Sequence, residues 1–295
     1  PPPAPAPAPA TTLEPAPAAS GSPLAAAEAA ADRAMSQGRP LEARTVLNRA
    51  LLDPRTSEAE RASLRRRLSE LNQTLVFGPA QTPGDPFSET YRVVAGDNLV
   101  KITRKLQLIT EPTLIGRVNR LANPNALRVG QTLKVLRGPF HAVVSKGAYR
   151  MDVYAGPTPP PTSIGTSTSN AGGAEPGWTY ICSFPVGLGE KGLTPIGAFS
   201  VKENSKLVNP HWVNPRTGEK FAADDPKNPI GERWLGLEGL DEQSRSYTGY
   251  GIHGTIEPGS IGREMSMGCV RMNSGDVELV YELLTSRVSV VKIVP

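Results

Sequence analysis

The stretch YGIHGTIEPGSIGREMSMGCVRM at residues 250–272 constrains the fold of this chain more than any other. It contains one histidine and one cysteine, His253 and Cys269, which are 16 positions apart with several glycines around them. This separation is too long for one face of a helix, but it suits two strands joined by a loop. Thiol chemistry needs a base, main-chain N–H groups that bind an oxyanion, and small residues that admit a substrate. The stretch therefore predicts a thiol active site between two strands.

The residues just before Cys269 predict where the main-chain donors lie. His253 reads as the end of one strand, whereas residues 266–272 start flexible and end apolar. Cys269 is then placed where a loop enters an element, and the N–H groups of Gly268 and Cys269 can point at a carbonyl oxygen. The competing interpretation is that His253 is a packed strand residue and Cys269 a buried thiol.

The two blocks IHGT (252–255) and SMGCVRM (266–272) resemble the active-site signature of the L,D-transpeptidases, cysteine enzymes that cross-link bacterial peptidoglycan. The family pattern is a histidine, a spacer of about this length, and then Ser-x-Gly-Cys-x-Arg or Asn. Many members carry a second histidine where this chain has Met267. The resemblance implies a catalytic pair, Cys269 and His253. It also implies that three residues shape the oxyanion site: Gly268, Gly254 and Ser266. Three more are implied to bind substrate: Arg271, Thr255 and Trp212.

The activity that the resemblance implies is acyl transfer through a Cys269 thioester, from a stem tetrapeptide to an acceptor amine. The backbone carbonyl near Gly254 would orient His253, and Arg271 would either bind a substrate carboxylate or brace the loop. If water resolved the thioester, the same site would be an L,D-carboxypeptidase. An inactive glycan-binding cell-wall protein is the alternative from a different class, and the sequence leaves these open.

Composition sets limits on organisation and on partners. With 30 Pro and 29 Gly among 295 residues, the chain has long linkers and loops, and its length suits two or three domains. The net charge of +4 fits an acidic cell wall but does not by itself exclude nucleic acid. The three histidines and two cysteines show no metal-ligand spacing, so we expect neither a metal nor a cofactor. Cys182 is expected to be a buried thiol in an apolar strand.

The N-terminal part is predicted to be a spacer followed by helices. Residues 1–23 alternate Pro and Ala, which favours an extended, disordered linker. Residues 24–76 show helical periodicity with a capping box at Ser57 and Glu60, and their first two helices resemble a tetratricopeptide-like α-hairpin. The run Arg65, Arg66 and Arg67 is expected to be a solvated helix face.

After a linker at residues 77–88, residues 89–137 read as strand, helix, helix, strand. The segments YRVVAGDNL and VNRLANPNALRVGQTLKV resemble the LysM module, which binds N-acetylglucosamine-containing glycans, although such a module can also be a spacer. The resemblance places glycan contacts at two loops, formed by Gly96, Asp97, Asn98, Asn123 and Pro124. The partners expected are therefore peptidoglycan stem peptides and glycan strands, with no nucleic acid.

Residues 139–295 are expected to form the mainly-β catalytic domain, a β-sandwich with a short helix, which makes the chain multidomain. We expect a long flexible loop at residues 156–177, a cap at 203–225 with His211 and Trp212 on the cleft wall, and a helix at 277–284. His141 is expected to be a strand residue without a catalytic role. No apolar run approaches the roughly 20 residues of a membrane span. Because the chain opens on PPPAPAPAPA without Met, we expect any signal or membrane anchor to lie outside it, and the location to be extracytoplasmic, in periplasm or cell wall.

Overall fold

The structure is a computed structural model, and it describes residues 23–160 and 173–295. The predicted spacer lies almost wholly outside the described residues, as does the middle of the predicted loop at 156–177. The end of that loop is packed, because Ala174 and Glu175 are buried and Glu175 pairs with Lys292. The prediction of a flexible loop is therefore wrong for this part.

Three helices come first: α1 (Pro23–Ser36), α2 (Pro40–Leu51) and α3 (Glu58–Leu75). Gly38 joins the first two with a φ of 69°, a left-handed conformation that favours glycine. The predicted capping box begins α3, since the Glu60 N–H donates to Ser57 Oγ and the Ser57 N–H donates to the Glu60 carboxylate. The likeness of α1 and α2 to a tetratricopeptide hairpin stays a prediction.

The arginine run on α3 is not a solvated face, and this prediction is wrong for Arg65. Its side chain is 6% exposed and forms ion pairs with Asp152 at 3.1 Å and with Glu58 at 2.8 Å. Arg66, one position on, is exposed. Consecutive residues of a helix point about 100° apart, so one of the three side chains faces the sheet while its neighbour faces water.

The next unit is small and closes on its own core. Its elements are β1 (Ser88–Arg92), α4 (Leu99–Lys105), α5 (Pro112–Val118) and β2 (Thr132–Leu136). The two strands pair antiparallel, so the ends of the unit meet, and both helices pack on a buried cluster that includes Val93, Ile102, Ile115 and Leu133. The predicted order of strand, helix, helix, strand is confirmed.

The remaining residues form the large mainly-β unit. Its strands in chain order are β3 (Phe140–Ser145), β4 (Arg150–Ala155), β5 (Thr179–Pro185), β6 (Leu188–Gly189), β7 (Gly197–Val208), β8 (Trp212–Val213), β9 (Lys220–Phe221), β10 (Arg233–Gly239), β11 (Gly251–His253), β12 (Glu264–Ser266), β13 (Val270–Arg271) and β14 (Val290–Val294), with α6 (Ser274–Leu283) before the last. The helix begins three residues earlier than expected, because the Val277 N–H already donates to the Asn273 carbonyl.

Eight of these strands form one sheet in the order β13-β11-β10-β7-β14-β3-β4-β5. The expected sandwich of two sheets is therefore not observed. The long strand β7 pairs with β14 through its first residues and with β10 along most of its length, which keeps the sheet continuous. Residues of both edge strands, Ile181 on β5 and Val270 on β13, belong to one buried cluster, so the sheet curls around a shared core with α6.

The N-terminal helices cover the β5 edge of this sheet. Asn72 Nδ2 on α3 donates to the carbonyls of Tyr180 and Ile181 at 2.9 and 3.0 Å. Asn48 on α2 donates to the Trp178 carbonyl at 3.1 Å and accepts the Tyr180 N–H at 2.8 Å. The two side-chain amides thus occupy backbone groups that an edge strand otherwise leaves open.

The small two-strand unit is also bonded to the large sheet. Arg117 on α5 forms ion pairs with Glu278, at 2.8 Å, and with Glu282 on α6. Lys206 on β7 pairs with Glu111, whose N–H donates to the Glu282 carbonyl at 3.0 Å. No helix within the described ranges combines the length and apolar character needed to cross a membrane.

Candidate active site

The predicted catalytic residues lie on adjacent strands at one end of the curled sheet. Strands β11 and β13 pair parallel, with Ile252 opposite Val270 and His253 opposite Arg271. Ile252 and Val270 are buried in the core. Since side chains alternate along a strand, His253, Cys269 and Arg271 all point to the opposite face, and all three line one cavity of about 230 Å³.

The His253 ring is buried and held by the main chain. Its Nδ1 lies 2.6 Å from the Gly254 carbonyl oxygen, which can only accept, so Nδ1 carries the proton and Nε2 has a free lone pair. Burial lowers the pKa of His253 from the ordinary 6.5 to about 4. The imidazole is therefore neutral at pH 7 and able to accept a proton.

Cys269 is half-buried at the end of the loop that leads into β13. Its Sγ lies 3.8 Å from the Gly249 carbonyl oxygen. Burial raises the pKa of this thiol to about 11, although the Gly251 N–H and Arg271 oppose the increase. At neutral pH the site therefore holds a neutral thiol and a neutral imidazole, and a thiolate forms only as its proton is transferred.

Ser266 braces the loop that leads to Cys269. Its hydroxyl donates to the Cys269 carbonyl at 2.7 Å and accepts the Gly268 N–H at 3.1 Å. Both bonds place Ser266 where it can shape the site, which stays a prediction, and the Gly268 N–H is occupied by Ser266 and is not a free oxyanion donor. Gly268 has a φ of 128°, and a Cβ there would lie 2.5 Å from the Tyr250 ring, so only glycine fits.

Arg271 both braces the site and keeps one unused donor. Its backbone exchanges two hydrogen bonds with Gly187, at 2.8 and 2.9 Å, and its Nη1 lies 3.1 Å from the Glu257 carboxylate. Its Nε is buried, with no partner in the part of the chain that the structure describes. The geometry is therefore compatible with both roles considered for Arg271.

Two residues expected at the cleft lie elsewhere. Thr255 lines a neighbouring cavity of about 320 Å³, and its hydroxyl accepts the Glu257 N–H at 3.0 Å, which turns it away from Cys269. His211 is exposed and does not line the Cys269 cavity. Trp212 does line it, from β8, with its ring packed against Phe221 at 5.8 Å.

Two aromatic residues of the cavity have no role in the sequence analysis. Trp234 on β10 lies directly opposite His253, and the two rings are 5.8 Å apart with an angle of 21° between their planes. Tyr250 lies against Gly268 and packs edge-on against Tyr247. Tyr250 could have been found from its position just before the histidine block, whereas Trp234 approaches only through the register of β10 and β11.

The residues predicted to bind glycan lie in the two loops expected for them, mostly exposed, but their polar groups are in use. Asp97 accepts the Tyr91 hydroxyl at 2.7 Å and the Val94 N–H at 2.9 Å, and the Val94 N–H is the main cause of its lowered pKa. The Asn98 side chain caps α4, and Asn123 accepts the Asn125 N–H at 3.0 Å. Gly96 accepts from Lys101, and Pro124 packs beside Gly116. Within residues 23–160 and 173–295, no cluster of three or more His, Cys, Asp or Glu is arranged to hold a metal ion.

The fold and site define a mainly-β domain with a candidate cysteine site, in which a single curled sheet carries His253 at the end of β11 and Cys269 just before β13. More particularly, the family model of the YkuD L,D-transpeptidase catalytic domain matches residues 139–293, and the LysM domain model matches residues 91–136. The chain therefore belongs to the YkuD L,D-transpeptidase family, with a LysM domain before the catalytic domain, as the resemblance indicated.

Two proteins of Bacillus subtilis that are similar to this chain are named L,D-transpeptidases, in both cases provisionally. YqjB of Bacillus subtilis, named for this activity provisionally, is 35% identical over 92 residues, which are 31% of this chain and 47% of the relative. The chain thus spans about half the length of that curated relative. YkuD of Bacillus subtilis, also a provisional L,D-transpeptidase, is 28% identical over 199 residues, 64% of this chain and 88% of that protein.

A solved L,D-transpeptidase from Mycobacterium smegmatis superposes with a TM-score of 0.34 and 13% identity, over 57% of this chain and 65% of that chain. That score is too low to support a comparison of the two sites.

Proposed function

We propose that this chain is a peptidoglycan L,D-transpeptidase that transfers an acyl group through Cys269. The observation that supports this most is the tethering of His253 Nδ1 to the Gly254 carbonyl, which leaves Nε2 available in the cavity that Cys269 lines. A carbonyl in place of a carboxylate orients the base without adding negative charge beside it. Such a base serves a thiol that must lose its proton during attack.

The first step acylates the enzyme. The Cys269 sulfur bonds to the carbonyl carbon between an L-centre and a terminal D-residue of the stem peptide, while its proton moves to His253 Nε2. The tetrahedral intermediate then collapses and the C–N bond breaks. The leaving amine takes the proton from His253, so the terminal D-residue departs neutral at nitrogen and a thioester remains.

The second step releases the acyl group. An acceptor amine attacks the thioester carbon and loses a proton to His253, the C–S bond breaks, and the proton returns to the sulfur. The products are a new amide and the free thiol. If water replaces the amine, the product is a trimmed carboxylate, which is the carboxypeptidase alternative.

The oxyanion of both steps needs main-chain donors, each worth about 3 kcal/mol in systems of this kind. We assign one to the Cys269 N–H. The Gly268 N–H contributes only when it exchanges the Ser266 hydroxyl for the oxyanion, because these two groups are bonded at 3.1 Å before substrate arrives. Arg271 Nε, buried and unpartnered within the described ranges, is assigned to a substrate oxygen, and Trp212 to the apolar part of the stem peptide.

The LysM domain is proposed to attach the enzyme to N-acetylglucosamine-containing strands, which places its work in the bacterial cell wall or periplasm. The loops at residues 96–98 and 123–124 are the proposed contacts. Their polar side chains are held by local hydrogen bonds, so the backbone and exposed ring surfaces are the groups that remain for a sugar.

The direct test is to incubate the full chain with disaccharide-tetrapeptide muropeptides and to analyse the products by mass spectrometry. Transpeptidation yields cross-linked dimers together with the released D-amino acid, whereas hydrolysis yields only trimmed monomers. The matched controls are Cys269→Ala and Cys182→Ala, since the second thiol is buried away from the cavity. Cross-links formed at normal rate by Cys269→Ala would refute the proposal.

A further inference from the structure

The indole of Trp234 forms the wall of the site beside His253. The two residues are opposite each other in the antiparallel pair β10 and β11, their rings lie 5.8 Å apart, and the planes differ by 21°. The hydrogen bond from His253 Nδ1 to the Gly254 carbonyl fixes one ring atom, but rotation about that bond can still tilt the plane of the ring. A flat neighbour that packs against the imidazole supplies the missing constraint.

Two glycines make room for this arrangement. A Cβ on Gly251 would lie 2.7 Å from the Cη2 and Cζ2 atoms of Trp234, so the indole crosses β11 directly over that residue. A Cβ on Gly236 would lie 2.0 Å from Ser205 Oγ and 3.2 Å from the indole Nε1. Glycine at both positions therefore leaves the space that the Trp234 indole and the Ser205 hydroxyl occupy. Gly251 is also the residue whose N–H lowers the pKa of Cys269.

A β-bulge in β7 places Ser205 beside the indole of Trp234. The register of β7 and β10 slips between Leu235 and Leu237, where the opposite residues jump from Lys206 to Val201. The extra residues of β7 include Ser205, whose Oγ lies 3.4 Å from Trp234 Nε1. Bulges beside active sites commonly re-aim a side chain, and here the bulge aims a hydroxyl at the ring that covers His253.

We propose that Trp234 is a positioning residue, which holds the imidazole plane of His253 so that Nε2 faces the Cys269 sulfur and which keeps water off the ring. Its catalytic consequence rests on the proposed function, but its effect on His253 does not. The charged group that acts on His253 from the other side is Arg271, its register partner on β13, and the other titratable groups that line the cavity are Cys269 and Tyr250. None of these three side chains contacts the Trp234 ring through a hydrogen bond or a ring contact in the described residues, so we expect a change at Trp234 to leave them in place.

The test compares Trp234→Ala and Trp234→Phe with Trp212→Ala in the full chain. Trp212 is the matched control, because it is an indole that lines the same cavity from β8 but packs on Phe221 and not on His253. The first readout is the NMR titration of the His253 ring nitrogens. We expect Trp234→Ala to raise the pKa of His253 by about one unit or more toward its ordinary value, and Trp234→Phe and Trp212→Ala to leave it near the wild-type value.

The second readout is the kinetics of the muropeptide reaction. Loss of ring orientation lowers kcat by about 10- to 100-fold with little change in KM, and phenylalanine restores most of kcat. Trp212→Ala is expected instead to raise KM. If Trp234→Ala does not fold, Trp234→Leu, which keeps apolar volume but no flat face, is expected to change kcat and the titration in the same direction.

The inference is overturned if Trp234→Ala, or Trp234→Leu in its place, titrates like the wild type. It is also overturned if phenylalanine is no better than alanine or leucine. Failure of the proposed function looks different: the wild-type chain then forms neither dimers nor trimmed monomers, while the titration of His253 still responds to Trp234 and still decides the inference.

Discussion

At the scale of single residues, two buried imidazoles behave alike for the same physical reason. His141 lies in β3, stacked on Trp178 at 4.5 Å, with its Nδ1 accepting the Val290 N–H and its Nε2 donating to the Gly156 carbonyl. Burial lowers the pKa of His141 to about 4, as it does for His253. His141 is thus the strand residue predicted from the sequence.

The pH dependence of stability follows from these two pKa values. Between pH 6.5 and 4 an unfolded imidazole takes up a proton that the folded one refuses, so the unfolded state binds more protons and the free energy of unfolding falls as the pH falls. Each histidine contributes about 3 kcal/mol above pH 6.5 that is lost across this window. Urea unfolding at several pH values measures the slope, and His141→Gln is expected to reduce it by one proton. An unchanged slope in that variant would contradict the assignment.

The ion pair of Arg65 predicts a large effect from a residue that the sequence places on the surface. Arg65→Met leaves Asp152 buried with Arg150 as its remaining partner at 2.9 Å, and we expect a loss of about 3 kcal/mol in the free energy of unfolding. The matched variant Arg66→Met, on the exposed side of the same helix, is expected to change it by less than about 0.5 kcal/mol. Denaturant unfolding of both variants measures the two free energies of unfolding. Equal losses would show that the Arg65–Asp152 ion pair does not stabilise the fold.

The residues that the sequence could and could not predict differ in one respect. His253 and Cys269 belong to blocks close together in the chain, so a short motif was sufficient to pair them. The run of three arginines suggests a solvated face, but Arg61, Arg65, Leu68 and Asn72 recur at helical spacing, and this spacing places Arg65 on a buried face of α3. Trp234 reaches His253 through strand register, and Ser205 reaches Trp234 through a bulge, and no local pattern encodes either approach.

At the scale of elements, the two asparagine side chains that cover β5 make a specific prediction. Asn72→Ala removes the donor shared by the Tyr180 and Ile181 carbonyls, and leaving buried acceptors unpaired is expected to cost about 1–3 kcal/mol. Gln73→Ala, an exposed neighbour on α3, is the control. Thermal unfolding measures the loss, and hydrogen exchange is expected to show faster exchange of the β5 amides in Asn72→Ala only.

The strand positions expected for His141 and Cys182 fall on β3 and β5, but the arrangement of the strands is not evident in the sequence. Whether they form two sheets or one depends on the partners of β7, which pairs with β14 at one end and β10 at the other. Such pairings are non-local, so the expected sandwich proved to be a single curled sheet.

At the scale of the whole molecule, the LysM domain is joined to the catalytic domain by apolar packing and by charged side chains, because Leu114, Val118 and Leu136 belong to the same buried cluster as the core of the large sheet. Lys206 bonds to Glu111 and donates to the Leu284 carbonyl at 2.8 Å, while Arg117 joins α5 to α6. Because the apolar cluster spans both domains, we expect the double variant Arg117→Ala and Lys206→Met to keep them tumbling as one body, with ¹⁵N rotational correlation times in residues 91–136 equal to those of the wild type. Arg104→Ala, exposed on α4, is the control and should tumble as the wild type does. A shorter correlation time in residues 91–136 of the double variant alone would mean that the charged contacts, and not the apolar cluster, hold the domains together.

The covering of the β5 edge also has a consequence for how the molecule assembles. Contacts within α1, α2 and α3 are local and form fast, whereas the sheet must join segments as distant as His141 and Val290, 149 positions apart. We therefore expect the helices to form before the sheet closes. The open edge of β5 then bonds first to the Asn48 and Asn72 side chains of its own chain. This reduces edge-to-edge pairing of the incomplete sheet with a second copy during folding.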